Sequence, residues 1–246
     1  MSEEQGIKFK EIAGGGKSAF RKYRDIYYGD LPLGKVILAE FIVTFFSGVG
    51  GALGLFLRKK LYPLLFPNIG KSVVFGRHVT IRHPQKIRIG SNVVLDDGCV
   101  IDAKGTTNRG IEIGDNVYVG RNTIVYCKNG DITLEKGVNL SANCQVFSSN
   151  KLTIGADTVV GAFSYFLSGG EYDYQDRSLK FSEQSGTGTK GELKIGPNCW
   201  IGAAVIVLDA ANVGGHCVIA AGAVVTKPIP PDSLAVGVPA RVLKSI

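Results

Sequence analysis

The stretch Ile195-Gly-Pro-Asn-Cys-Trp200-Ile-Gly-Ala-Ala-Val-Ile-Val207, continued by Leu-Asp-Ala-Ala-Asn-Val213-Gly-Gly-His-Cys-Val-Ile219-Ala-Ala-Gly-Ala-Val-Val225, carries a large apolar residue at every sixth position. The same beat runs upstream through Ile154, Val160 and Phe166, then Leu134, Leu140 and Val146, then Ile113, Val119 and Val125, back to Ile89, Leu95 and Ile101. Eight of these eighteen residues are followed directly by glycine, and the fourth position after them is mostly small, as at Cys99, Thr123, Cys144, Ser164 and Ala223. A helix needs apolar residues every three to four positions and a half-buried strand every two, so neither explains a beat of six. A triangular solenoid does. Each hexad makes one flat side with its aliphatic residue inward, and glycine eases the corner. Three sides close one coil, and successive coils pair as parallel strands about 4.8 Å apart. The predicted fold class is an all-β solenoid, a parallel β-helix.

With 246 residues, the chain suits one sizeable domain plus an appendage. Its net charge of +7 is diffuse, +4 of it within residues 1–66, and no Lys/Arg run is interleaved with aromatics, which argues against a nucleic-acid partner. Cys99, Cys144, Cys199 and Cys217 all fall on small inward positions, and no C-x-x-C pair occurs, so neither a disulfide framework nor a zinc site is expected. His78 and His83 lie near the first coil and His216 far down the solenoid, so no metal triad closes.

Three regions follow from the pattern: an N-terminal helical segment over 1–66, the β-helix over 67–228 and a C-terminal tail over 229–246. Residues 1–20 are polar and Gly-rich and read as mobile, with no secretory signal. From Val36 to Leu57 the chain is almost wholly apolar, interrupted by Glu40 and several glycines. It is long enough to span a bilayer core as one helix. It also reads as two helices broken near Gly48–Gly51 that lie on a membrane or cap the solenoid's open edge. Arg21, Lys22, Arg24 and Arg58 to Lys60 suit an anionic membrane surface. Spacing between coils locates the loops: Ile113 follows Ile89 by 24 residues, and Ile195 follows Ile154 by 41, which leaves 23 extra residues in a loop at about 169–192. One long excursion among short ones marks a functional element.

The segments Ile195 to Ala203, Ile219-Ala-Ala-Gly-Ala-Val-Val-Thr-Lys227 and Ala235-Val-Gly-Val-Pro-Ala-Arg241 resemble the hexapeptide-repeat acyltransferases, in particular the sugar O-acetyltransferase branch. The resemblance covers about residue 69 to the end. It implies a left-handed coil, a homotrimer with sites between neighbouring solenoids, acetyl-CoA as co-substrate and an active-site loop at 169–192. It also implies pantetheine running close to Ala203, Ala221 and Gly222, and CoA phosphates near Lys227 and Arg241. Each of these has a plainer reading, as corner packing or as a solvated terminal charge. Trp200 is expected to line the acceptor groove or cover the coil edge, and Gln184 to orient substrate or anchor the loop.

Acetyl transfer from a thioester to a hydroxyl needs a general base, an oxyanion donor and cations for the CoA phosphates. Here the chain departs from the resemblance: Ser168-Gly-Gly-Glu-Tyr-Asp-Tyr174 puts Tyr172 about where relatives carry a catalytic His. A free phenol titrates at about 10, which makes it a poor base at neutral pH. Glu171, Tyr172 and Asp173 remain alternative candidates, with His83, within Arg77-His-Val-Thr-Ile-Arg-His-Pro84, as a second functional point. His83 lies several coils from the loop and reaches it only if the chain folds back. The expected function is acyl-CoA-dependent O-acylation of a sugar hydroxyl on a surface polysaccharide or lipid-linked glycan precursor, in the cytoplasm at the inner face of the membrane. The alternatives are a catalytically silent scaffold or sugar-binding solenoid, and an N-acetyltransferase on an amino sugar.

Overall fold

The computed structural model describes residue 16 and residues 18–246. From Asn68 onward the chain forms a parallel β-solenoid of about eight turns, and the architecture fits a left-handed β-helix. Its first face stacks Asn68–Ile69, Ile87–Ile89, Ile111–Ile113, Asp131–Leu134, Lys151–Ile154 and Leu193–Ile195. The second face runs from Val74–Phe75 to Ser233–Val236, and the third from Thr80–Arg82 to Val224–Val225. Sixth-position residues meet their counterparts one coil on: Ile89 pairs with Ile113, Leu134 with Ile154, Ile201 with Ile219 and Val207 with Val225. All are buried, as are the small residues between them, so the column of aliphatic side chains is the core.

One further coil, with Ile69, Phe75 and Ile81 in register, precedes the regular pattern. Another begins at Ile229 and Ala235, and the antiparallel strand Arg241–Ser245 closes the second face against Ser233–Val236. The reading of the glycines is corrected in part. Left-handed backbone falls on the third residue after the aliphatic one, as at Asn92, Asn116, Asn143, Asp157 and Asn198. Asn and Asp tolerate that region best. His78 and His216 occupy the same corner position at φ 55. The glycine directly after the aliphatic residue serves a different need: a Cβ on Gly202 would stand 2.5 Å from the Ala221 nitrogen of the next coil.

Helices α1 (Ala19–Tyr27), α2 (Leu33–Phe46) and α3 (Gly51–Leu61) precede the solenoid. The expected mobile stretch 1–20 lies largely outside the described residues, and Ser18 already caps α1 by accepting from the Arg21 N–H. The apolar stretch is two helices broken over residues 47–50, and among the described residues no helix is long and apolar enough to cross a membrane. Val36, Ala39 and Ile42 of α2 turn inward, and Tyr62 and Phe66 lie against Phe75 at ring distances of 5.1 and 5.9 Å, closing the first coil. Arg58 departs from its expected place on a basic surface. It is 3% exposed and donates to the carbonyls of Phe75, Phe46 and Val49 at 2.9, 3.2 and 2.7 Å. The end of α2 leaves the Phe46 and Val49 carbonyls without helical partners, and a guanidinium with five donors satisfies them together with the Phe75 carbonyl of the first coil.

Candidate functional site

The corner between the third and first faces carries every long excursion. The loop leaves the strand Tyr165–Ser168 through Gly169 and Gly170, both at positive φ, and regains the first face at Leu193. Glu171 and Gly188 exchange backbone hydrogen bonds of 2.9 and 3.2 Å, which pinch its base. Asp209, one coil further on and 7% exposed, holds both ends: its Oδ1 accepts from the Gly169 N–H at 2.5 Å and the Thr189 hydroxyl at 3.2 Å, and its Oδ2 from the Lys190 N–H at 2.5 Å. Sequence reading missed Asp209. The available signal was an acidic residue two positions after Val207, where the four preceding coils carry Ala103, Cys127, Ser148 and Ser168.

The loop folds back toward the N-terminal coils. The Ser149 hydroxyl lies 3.3 Å from the Thr187 carbonyl, and the Lys128 ammonium bonds the Ser185 carbonyl. Gly170 lies directly over the Phe147 ring, which points outward from the third face yet is buried. Burial lowers the Lys128 pKa, since desolvation penalises its charged form.

Within the loop, the three candidate bases fare differently. Glu171 forms an ion pair with Lys190 at 2.6 Å, and that hydrogen bond raises the Lys190 pKa. The Asp173 carboxylate accepts the backbone N–H groups of Gln175 and Asp176 at 2.9 and 3.1 Å, a turn-forming role. Gln184 is an anchor: its amide bonds the Asp173 N–H at 2.7 Å and the Asp173 carbonyl at 2.9 Å. Tyr172 is half-exposed, its ring edge-on to Phe181 at 6.1 Å and its hydroxyl against Gly186, where among the described residues no hydrogen-bond partner meets it.

His83 stands on the same corner in the first coil and is not brought to the loop. The fold-back stops at Lys128, two coils short, or roughly 10 Å. His83 is 3% exposed, its Nδ1 lies 3.1 Å from Asp102 Oδ1, and its Nε2 faces the Asp25 carbonyl at 3.4 Å. With its own N–H donated to the Tyr27 carbonyl at 2.7 Å, it clamps the end of α1 to the solenoid.

The residues assigned to CoA divide between two corners. Ala203, Ala221 and Gly222 are exposed and stack in consecutive coils at the corner between the second and third faces, where the Gly222 N–H donates to the Ala203 carbonyl at 2.8 Å. Arg241 is exposed opposite Val236, one coil further on. Lys227 instead follows Val225 onto the corner that carries the loop and Asp209. Trp200, 63% exposed, leads into the bare corner, and Val159 and Ile206 add apolar surface beside it. Phe163, also exposed, holds φ +64 where the two preceding coils place Asn122 and Asn143. A bulky residue in that region is strained, and such strain concentrates at functional surfaces. Among the described residues no group of three or more His, Cys, Asp or Glu side chains is arranged to hold a metal ion.

Comparison with known proteins agrees with this architecture. The profile described as the hexapeptide repeat of succinyl-transferase matches residues 192–227. The galactoside O-acetyltransferase of Escherichia coli K12 is 30% identical over 134 residues, covering 54% of this chain and 63% of that protein. A Mycobacterium tuberculosis protein named as an acetyltransferase is 31% identical over 137 residues, covering 55% of this chain and 44% of its own length. The chain thus spans about half the length of the curated relatives it matches. AntD, an N-acyltransferase from Bacillus cereus solved with dTDP and coenzyme A, shares the fold with a TM-score of 0.52 at 19% identity, over 76% of this chain and 89% of that one. The chain carries a hexapeptide repeat, and the curated proteins it resembles in sequence are named as acetyltransferases.

Proposed function

We propose that the chain is an acyl-CoA-dependent O-acyltransferase that moves an acetyl group from acetyl-CoA to a sugar hydroxyl, working as a homotrimer. The observation that carries this reading is the pairing of one pinned, folded-back loop at one corner with a bare, exposed backbone ridge at the next. The ridge of Ala203, Ala221 and Gly222 lets an extended pantetheine arm approach the backbone, with Arg241 beyond it for phosphate. In a trimer the loop of one protomer faces a neighbour's ridge, and Lys227 then serves the same nucleotide from the loop side. The exposed Trp200 offers the acceptor sugar a flat apolar surface.

Tyr172 carries a free hydroxyl at the position where the resemblance expects the catalytic side chain. A phenol keeps its proton at neutral pH and therefore acts as a donor to the developing oxyanion. With Glu171 and Asp173 engaged elsewhere, the proton of the attacking hydroxyl passes to Glu171 once Lys190 releases it, or to water. Surface polysaccharide or a lipid-linked glycan precursor is the acceptor class we favour.

Calorimetric titration of acetyl-CoA into the purified protein tests the reading, with Lys227→Ala and Arg241→Ala alongside. Micromolar binding that weakens in both variants supports it, and an acceptor screen then separates sugar hydroxyls from amino sugars. Tyr172→Phe lowers kcat at least about tenfold, or ~1.4 kcal/mol in the barrier; an unchanged rate removes the phenol from the chemistry. The engaged carboxylates of Glu171 and Asp173 favour one rival, a catalytically silent scaffold, and absence of CoA binding at millimolar concentration would select it.

A further inference from the structure

Helices α2 and α3 turn apolar side chains outward as well as inward. On α2 the exposed residues Leu33, Ile37, Phe41 and Phe45 recur every fourth position, opposite the buried Val36, Ala39 and Ile42, and form one ridge along the helix. On α3 Leu53 and Phe56 are exposed, and their stripe runs on into the exposed Lys59 and Lys60. A helix on the surface of a water-soluble domain carries mainly polar residues on its outer face, whereas the outer faces of these two are mainly apolar. Charge on the pair is one-sided. Lys35, Lys59 and Lys60 are exposed, whereas the single carboxylate, Glu40, accepts hydrogen bonds from the Tyr23 and Tyr28 hydroxyls at 2.5 and 2.7 Å.

We infer that this ridge is a docking surface for an anionic lipid bilayer, which α2 and α3 enter in the interfacial plane with Lys59 and Lys60 against the headgroups. Length fixes the mode. The 14 residues of α2 extend about 21 Å, short of the roughly 30 Å hydrocarbon core, so the helices lie in the interface and do not span it. Apolar rings supply burial, and exposed lysines with no competing free carboxylate supply selectivity for negative headgroups. This surface stands apart from the corners assigned to acyl transfer and does not depend on that assignment.

The test is flotation of the full chain with vesicles of phosphatidylcholine alone and vesicles that also contain phosphatidylglycerol. The chain is expected to float with the anionic vesicles. Lys59→Gln combined with Lys60→Gln should weaken partitioning roughly 25-fold, about fivefold for each basic residue. Phe41→Ser with Phe45→Ser should abolish it, while the thermal unfolding midpoint and acetyl-CoA affinity stay unchanged, because these rings are exposed and far from the loop. Light scattering on the same variants separates the competing occupant. A fall in oligomeric mass on Phe41→Ser/Phe45→Ser, without flotation of the parent protein, would make the ridge a contact between copies of this chain and overturn the inference. Equal flotation with neutral and anionic vesicles would overturn the role of the lysines.

Discussion

Asp209→Asn is the substitution that separates the loop from the rest of the molecule. The carboxylate accepts three donors, two of them backbone N–H groups at opposite ends of the loop, Gly169 and Lys190. An asparagine of the same shape offers one oxygen. Placed to keep Gly169 and Thr189, it turns its amide nitrogen toward the Lys190 N–H, donor against donor. A hydrogen bond to a charged acceptor contributes about 1.5–3 kcal/mol, so the closed-to-open ratio of the loop should fall roughly 10- to 150-fold. The coils themselves are untouched, since Val207 and Ala211 on either side remain buried in the core. Amide exchange should therefore accelerate at Gly169, Glu171, Gly188 and Lys190 while the strands of the neighbouring coils keep their protection. Trypsin should cut faster at Arg177 and Lys180, both exposed within the loop. Under the proposed function kcat falls and acetyl-CoA affinity stays. Unchanged exchange between 169 and 190 would refute the argument that Asp209 pins the loop.

Three further outcomes follow from the same structure. Arg58→Met should cost about 2–3 kcal/mol, because one buried and two part-buried carbonyls lose their donor at ~1 kcal/mol each; a thermal midpoint within a degree of the parent's would contradict this. Gly170→Ala should loosen the loop in amide exchange, since it adds both the left-handed strain of ~1–2 kcal/mol and a Cβ 2.9 Å from the Phe147 ring, whereas Gly222→Ala, with φ +72 but nothing within 4 Å, carries only the first. All five cysteines are buried, and burial pushes the Cys99 thiol up to about 12, so a thiol reagent at pH 8 should titrate none in the native protein and five after unfolding.

A period of six admits one solution, because side-chain direction along a chain is local geometry, and the sequence by itself determined the coils, their register and the inward cysteines. It also located the loop, since 23 residues beyond one coil have nowhere else to go. The break in the apolar N-terminal stretch was legible from its glycines. Partners brought together across coils were not legible. Asp209 reaches Gly169 over a separation of 40 residues, and Lys128 reaches Ser185 over 57. Arg58 looked like surface charge beside Lys59 and Lys60 because its three acceptors come from elsewhere in the chain. His83 read as a second functional point, and its contacts with the end of α1, 58 residues away for Asp25, were not legible along the chain. Hydrogen bonds of this kind depend on distances in space that no spacing along the chain encodes, and only the tertiary structure decided them.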